Sequence, residues 1–358
     1  MHLYLHVPFC ARRCSYCDFA IAVRKTVPSR TFADAVLLEW RSWQDAEWWA
    51  ESGPIETIYF GGGTPSLLEP SALATILDTI RADRTVSSTS EITIEANPED
   101  VTPERAARWR AAGVNRVSLG VQSFDPKVLE WMHRGHGPER PGLAVRQLRE
   151  AGIANVSLDL IYAVPEPLGR DWNADLQRAL ALEPSHLSLY GLTVEERTPL
   201  GRWVDRGAVV PAGEGRAADE YLAAHDRLAA AGFHHYEVSN AGQPGFESRH
   251  NQAYWRRAPY LGLGPSAHSA RGNRRWWNLR DWAGYLRAIE AGESESGCTV
   301  HYVDVGIDSG PVILQKRVPI LPGDTEETLS ARILEQEHEA YPEAVTLVLA
   351  SLPAPGPA

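Results

Sequence analysis

Short apolar runs rich in β-branched residues recur along the chain, with longer stretches of helical character between them. Six of these runs, at residues 3–7, 55–60, 91–95, 116–121, 156–161 and 186–189, are expected to be strands. Most intervals are about 25 to 50 residues, the length of a strand with its crossover helix. One intervening helix is punctuated clearly: Thr102 suits the N-cap, Pro103 the first helical position, and Gly113 follows the end. Alternating strands and helices predict an α/β fold with a parallel sheet. In a curled parallel sheet, functional groups collect at the C-terminal ends of the strands.

The polar positions that interrupt these runs fall at those ends. A cysteine-bearing loop follows the first strand, and Gly61-Gly62-Gly63-Thr64-Pro65 follows the second. Three glycines allow close backbone approach to a ligand or a turn with positive φ, and a tight turn alone would use them equally well. The third strand ends in Glu95-Ala96-Asn97-Pro98, the fourth in Gly120-Val121-Gln122-Ser123-Phe124, and the fifth contains Asp159. A carboxylate or carboxamide in an apolar strand needs a partner, because an unpaired buried polar group costs roughly 1–3 kcal/mol. Taken singly, each is explained by a structural hydrogen bond. Five such features at the same ends of successive strands point to one shared ligand site.

Cys10, Cys14 and Cys17 form a C-x3-C-x2-C group, and the remaining cysteine, Cys298, is remote. Thiolates suit zinc or an iron–sulfur cluster. A structural zinc site ordinarily takes four protein ligands, and only three are offered here. Three thiolates on one loop can hold three irons of a cubane and leave the fourth open. Three unrelated buried cysteines are the plainer alternative, since free Cys behaves as a small hydrophobe.

Composition narrows the class. The 358 residues are 44% hydrophobic, enough for a sizeable core. The 46 acidic against 35 basic residues give a net charge of -11, which argues against a broad nucleic-acid footprint. Four cysteines make no disulfide framework and suit a reducing compartment. With neither a signal-peptide pattern nor an apolar run near the ~18 residues of a membrane span, the chain is expected to be soluble and cytoplasmic.

These motifs, with Tyr4-Leu5-His6-Val7-Pro8-Phe9-Cys10 and Gly262-Leu263-Gly264-Pro265-Ser266-Ala267-His268, resemble the radical S-adenosylmethionine (SAM) superfamily. The branch resembled holds oxygen-independent coproporphyrinogen III oxidase and the HemW heme chaperones. The resemblance covers residues 1–292 and implies a partial (β/α)6 radical SAM barrel over 1–200 with a HemW-type extension over 201–292. It implies that Cys10, Cys14 and Cys17 hold a 4Fe-4S cluster. It also implies that Tyr4, Tyr16, Gly62, Gly63, Thr64, Glu95, Gln122, Arg134 and Asp159 contact S-adenosylmethionine. The oxidase carries a further cysteine where this chain has Phe19, and it has a longer segment before the cysteine loop than the nine residues here. Both departures weigh against a porphyrinogen decarboxylase. His250-Asn251-Gln252-Ala253-Tyr254-Trp255 matches the HNxxYW motif of the HemW branch and makes His250 the implied heme ligand, with Tyr254 and Trp255 flanking the macrocycle. A histidine held by hydrogen bonds beside two packing aromatics is the alternative. The implied partners are heme-acceptor proteins and an electron donor.

Residues 293–358 change character and are expected to form a short α+β C-terminal fragment. From residue 297 they resemble the C-terminal part of phosphoribosylglycinamide formyltransferase, with His301 and Asp308 on that family's active-site segment. That family's Asn-x-His-Pro stretch is absent from the chain, so Asp308 is not expected to support formyl transfer alone. Two strands are expected at 299–303 and 312–318. A helix capped by Asp324 and Glu327 should follow, with Leu329, Ile333 and Tyr341 on one face, and then a disordered end at 353–357. A junction near 292–297, from gene rearrangement or an assembly artefact, accounts for the change.

Overall fold

The computed structural model describes residues 1–44, 46, 53–291, 295–301, 311–319 and 326–351. It divides into two compact units, Met1–Tyr285 and Leu286–Ala358. In the first, six parallel strands form the frame: β1 (His2–Val7), β4 (Ile55–Gly62), β5 (Val86–Ala96), β6 (Arg116–Gln122), β7 (Asn155–Tyr162) and β8 (His186–Gly191). Two short strands, β2 (Phe9–Cys10) and β3 (Ala22–Val23), pair with each other across the cysteine loop. Beyond β8 the sheet continues antiparallel through β10 (Asn240–Gly242) and β9 (His234–His235). On its other side, β11 (Tyr260–Leu263) pairs parallel with β1 and is followed by antiparallel β12 (His268–Arg271) and β13 (Arg274–Trp277). The implied extension thus contributes strands to the sheet that the N-terminal segment begins.

All six expected strands are present, each longer than expected. The helix Pro103–Ala112 has the anticipated punctuation: the Thr102 hydroxyl accepts the Arg105 N–H at 3.1 Å, and Gly113 closes it at φ +98°. Side chains alternate faces with period two. Leu3 and Leu5, Ile58 and Phe60, Ile92 and Ile94, Val117 and Leu119, Leu158 and Leu160 belong to one buried cluster. That cluster also contains Phe32, Val36, Leu73, Ile76, Trp109, Leu148 and Leu176 from the helices covering this face. The opposite positions are polar: Tyr4, Tyr59, Glu95, Arg116, Ser118, Ser188 and Tyr190 line a cavity of about 200 Å³ inside the curl of the sheet. Among the described residues no helix is long and apolar enough to cross a membrane.

In the second unit, β14 (Glu295–His301) pairs antiparallel with β15 (Val312–Pro319), and the helix Glu326–Ser351 follows. The first strand starts four residues earlier than expected. Among the described side chains of the helix, Ala340 and Ala344 are buried, and Tyr341 is 66% exposed. The expected face was misjudged at that residue. Eight positions on from Ile333 fall about 80° around a helix of 3.6 residues per turn, whereas seven, at Ala340, return to the same side. Asp308, Asp324 and residues 353–357 lie outside the described residues, as do the contacts of the His301 side chain.

Candidate cofactor site at the strand C-termini

Because β1 and β4 to β8 run parallel, their C-terminal ends share one rim of the sheet. The cysteine loop is tied to that rim along its length. Ala22 N donates to Pro8 O (2.7 Å), Arg24 N to Cys10 O (2.9 Å), and Gly63 N to Val7 O (2.8 Å). Ser15 accepts the Leu200 N–H through its carbonyl at 2.8 Å. Cys10 is buried, Cys14 and Cys17 are half-buried, and all three are free thiols. Burial pushes the Cys10 thiol up and the Cys17 thiol up to about 11, with the neighbouring cysteines adding to the shift. Two hydrogen bonds reach the sulfurs. The Thr64 hydroxyl donates to Cys10 Sγ (3.3 Å), and Arg134 Nη1 donates to Cys14 Sγ (3.6 Å).

Arg134 joins three of the expected features. Its Nη2 donates to Asn97 Oδ1 (2.6 Å) and Gly120 O (2.7 Å), while its buried Nε has no partner. Tyr16 packs beside it, against Val128, Met132, Ile161 and Val164. Gln122 ends β6 at φ +66°, where the pairing with β7 shifts register. A non-glycine residue in this left-handed region costs on the order of 1–3 kcal/mol and is often found where function requires it. Glu95 accepts from the Tyr59 hydroxyl (2.8 Å) and from Gly62 N (3.0 Å), and burial raises its pKa to about 7. Asp159 accepts from Ser118 Oγ at 2.9 and 3.1 Å, and burial raises its pKa too.

The glycines have a reason internal to the protein. Gly62 has φ +109°, and a Cβ there would stand 2.7 Å from the His6 imidazole. A Cβ on Gly63 would stand 2.8 Å from the Phe9 carbonyl oxygen. The turn must therefore lack side chains simply to pack beneath the cysteine loop. His6 is fixed between the Tyr4 hydroxyl (3.1 Å) and the Ala20 carbonyl (3.0 Å).

His250 stands apart from this rim. It lies in the helix Arg249–Trp255, 2% exposed, and lines the interior cavity with Tyr4 and Tyr59. Its Nδ1 is 2.6 Å from Thr57 Oγ1 and its Nε2 2.9 Å from the Tyr254 hydroxyl. Its ring stacks on Tyr59 at 5.1 Å, and burial lowers its pKa to about 3. The imidazole is thus neutral with both nitrogens engaged.

The donor set fits an iron–sulfur cluster. Among the described residues no three His, Cys, Asp or Glu side chains converge on a single ion. A cubane asks for something else, one thiolate on each of three separate irons. Three adjoining thiols beside the buried Arg134 cation supply that. Arg116 was missed as a candidate. It is 2% exposed, and its signal in the sequence is a cation two positions before Ser118 on the polar side of an otherwise apolar strand. The His136–Glu99 pair (3.0 Å), which braces the rim below Arg134, was missed as well.

Comparison with known proteins agrees with this geometry. The radical SAM superfamily model matches residues 4–179. A heme chaperone HemW of Synechocystis is 38% identical over 304 residues, covering 83% of this chain and 72% of the relative. Its counterpart in Mycobacterium tuberculosis is 41% identical, covering 78% and 71%. The chain belongs to the HemW family. Among solved structures, Escherichia coli coproporphyrinogen III oxidase (HemN), a radical SAM enzyme, superposes with a TM-score of 0.68 at 22% identity, covering 81% of this chain and 69% of its own. That likeness establishes the shared fold of this HemW-family chain. Membership of the radical SAM superfamily implies a 4Fe-4S cluster and S-adenosylmethionine. A formyl transferase model matches residues 281–345, overlapping the second unit.

Proposed function

We propose that this HemW-family chain is a heme chaperone, binding a 4Fe-4S cluster, S-adenosylmethionine and heme and handing heme to acceptor proteins in the cytoplasm. The observation that carries this reading is its 38–41% identity to heme chaperones along more than two thirds of their length. Cys10, Cys14 and Cys17 hold the cluster. When bound, the cluster would supply one-electron reducing chemistry next to S-adenosylmethionine. Arg134, held by Asn97 and Gly120, presents a fixed cation to a carboxylate. Glu95 and Asp159 accept hydrogen bonds from ribose or amine groups, and Tyr4, Tyr16, Thr64, Gln122 and the backbone of Gly62 and Gly63 complete the contact. His250 is the residue that would hold the heme iron. Ligation needs the Nε2 lone pair, so the Tyr254 hydroxyl must first leave it.

The partners are heme-acceptor proteins and an electron donor; nucleic acid is no part of the reading. The second unit is proposed to transfer no formyl group. The test is anaerobic purification with iron, sulfide and heme quantification, followed by incubation of the heme-loaded chain with a heme-free acceptor. Transfer of heme is expected. In a parallel incubation with coproporphyrinogen III, S-adenosylmethionine and reductant, no protoporphyrinogen should form. Its appearance, or a colourless, EPR-silent chain after dithionite, would overturn the reading.

A further inference from the structure

The cavity inside the curl contains a cation that nothing above employs. Arg116 enters at the start of β6 with Thr93 and Asn155 beside it in register. Its side chain is buried and lines the cavity. Its Nε has no hydrogen-bond partner, and the carboxyl groups of Glu95 and Asp159 feel its charge. A buried guanidinium with an unpartnered N–H is costly, and an anion that engages its fork relieves that cost. The same cavity is lined by the Tyr190 hydroxyl and the Asn240 and Asn251 carboxamides. Tyr190 and Tyr254, 45% and 37% exposed, stand where it meets solvent.

We propose that this interior cavity is a carboxylate-binding site with Arg116 as its anchor, sharing Tyr4 and Glu95 with the proposed cofactor contact. The planar fork of the guanidinium accepts either a carboxylate or a phosphate in two-point fashion. Glu95 lines the cavity and Asp159 lies within electrostatic reach of Arg116. Negative charge on either carboxyl group disfavours a dianion there, which favours a monocarboxylate. At about 200 Å³ the cavity lies below the roughly 300–1,000 Å³ of sites for drug-sized ligands. It takes a small acid, or the carboxylate arm of a larger molecule whose body stays outside. The second source rests on the heme reading; the first does not.

The test uses the anaerobically purified full-length chain and calorimetric titration with sodium propionate, with phosphate as the competing oxyanion. Saturable propionate binding is expected, with phosphate at least tenfold weaker. Arg116→Met should reduce propionate affinity at least tenfold while the circular dichroism of the folded chain stays unchanged. Arg116→Lys, which keeps the charge and loses the fork, should fall between them and serves if the methionine variant does not fold. Heme and heme dimethyl ester then separate the sources. A wild-type preference for heme that Arg116→Met abolishes assigns the carboxylate to a propionate arm, and equal affinities assign it to a free acid. Absence of saturable propionate binding, tighter phosphate binding, or unchanged affinity in both variants overturns the proposal.

Discussion

The two faces of the same strands are built to opposite rules. On the outer face Leu5, Phe60, Ile94, Leu119 and Leu158 are fully buried against helices and carry no polar atom. At inward positions of the same strands, Tyr4, Tyr59, Glu95 and Arg116 line a cavity with hydroxyls, a carboxyl and a cation. An all-apolar interior would be cheaper for a fold of this size, because each buried polar group must find a partner or carry a desolvation cost. The outer face therefore holds the sheet together, and the inner face holds groups ready for a ligand. Truncation on one face should be measured in stability, and substitution on the other in binding.

The largest expected effect lies on the outer face. Phe60→Ala removes a fully buried ring between helices and should cost about 3–5 kcal/mol of unfolding free energy. Chemical denaturation with one probe of helix content and one of tryptophan environment measures it. A loss below about 1 kcal/mol would mean that the covering helices collapse onto the gap, and that the outer face is less tightly packed than it looks.

Carboxyl groups give the next effect. Burial raises both Glu39 and Glu95 to about 7. Glu39 belongs to the helix Ser29–Ser42 and accepts from Gly264 N, Asn278 Nδ2 and the Tyr285 hydroxyl. Between about pH 4.5 and 7 the folded chain keeps protons that the unfolded chain has released. Unfolding then sheds protons, so stability falls as pH rises through that window and levels off above it. A shift of this size corresponds to at most ~3 kcal/mol per group. Glu95 should contribute the lesser share because it borders the cavity. Melting from pH 5 to 8 should show the decline in the wild type and a shallower one in Glu39→Gln and Glu95→Gln. A wild-type melting temperature that rises across that range would show both groups ionised at neutral pH.

Much of this division was open to inspection in the sequence. The six strands could be recognised because outward leucines, isoleucines and valines recur at every second position. The cysteine loop could be recognised because core packing alone rarely gathers three thiols within eight positions. Arg116 escaped because its meaning depends on what lies opposite it. An arginine opening a strand is indistinguishable from one at an exposed edge until the register places it against Thr93 and Asn155. The glycine turn was visible, but its cause was not. His6 and Phe9 exclude a Cβ there through pairing between segments about 55 residues apart. His250 was found through its neighbours in the sequence, and its burial between Thr57 and Tyr254 is a property of the assembled helix and sheet.

That histidine offers a sharper test than its removal. If it ligates iron through Nε2, heme binding competes with the hydrogen bond to Tyr254. Tyr254→Phe abolishes the competitor, a bond worth about 0.5–1.5 kcal/mol, and should tighten heme binding several-fold. His250→Ala should weaken it by a larger factor. Heme absorbance titrations of the two variants decide the matter through their opposite signs. If both weaken binding, Tyr254 contacts heme itself, and His250 is a packing partner of Tyr59.

The smallest effect probes whether the inner face is poised for a ligand or merely tolerated. Thr93 is fully buried beside Arg116 in the ladder, and its hydroxyl has no hydrogen-bond partner. Thr93→Val keeps the shape and deletes the orphaned hydroxyl. It should therefore stabilise the chain, by at most about 1 kcal/mol. At the outer strand positions no swap of equal volume should improve stability, because Leu5, Phe60, Ile94, Leu119 and Leu158 carry no polar side-chain atom. If Thr93→Val instead destabilises, the hydroxyl is satisfied in solution by an ordered water. The inner face would then be a closed hydrogen-bonded network with stability of its own, and the contrast between the two faces would reduce to the cavity around Arg116.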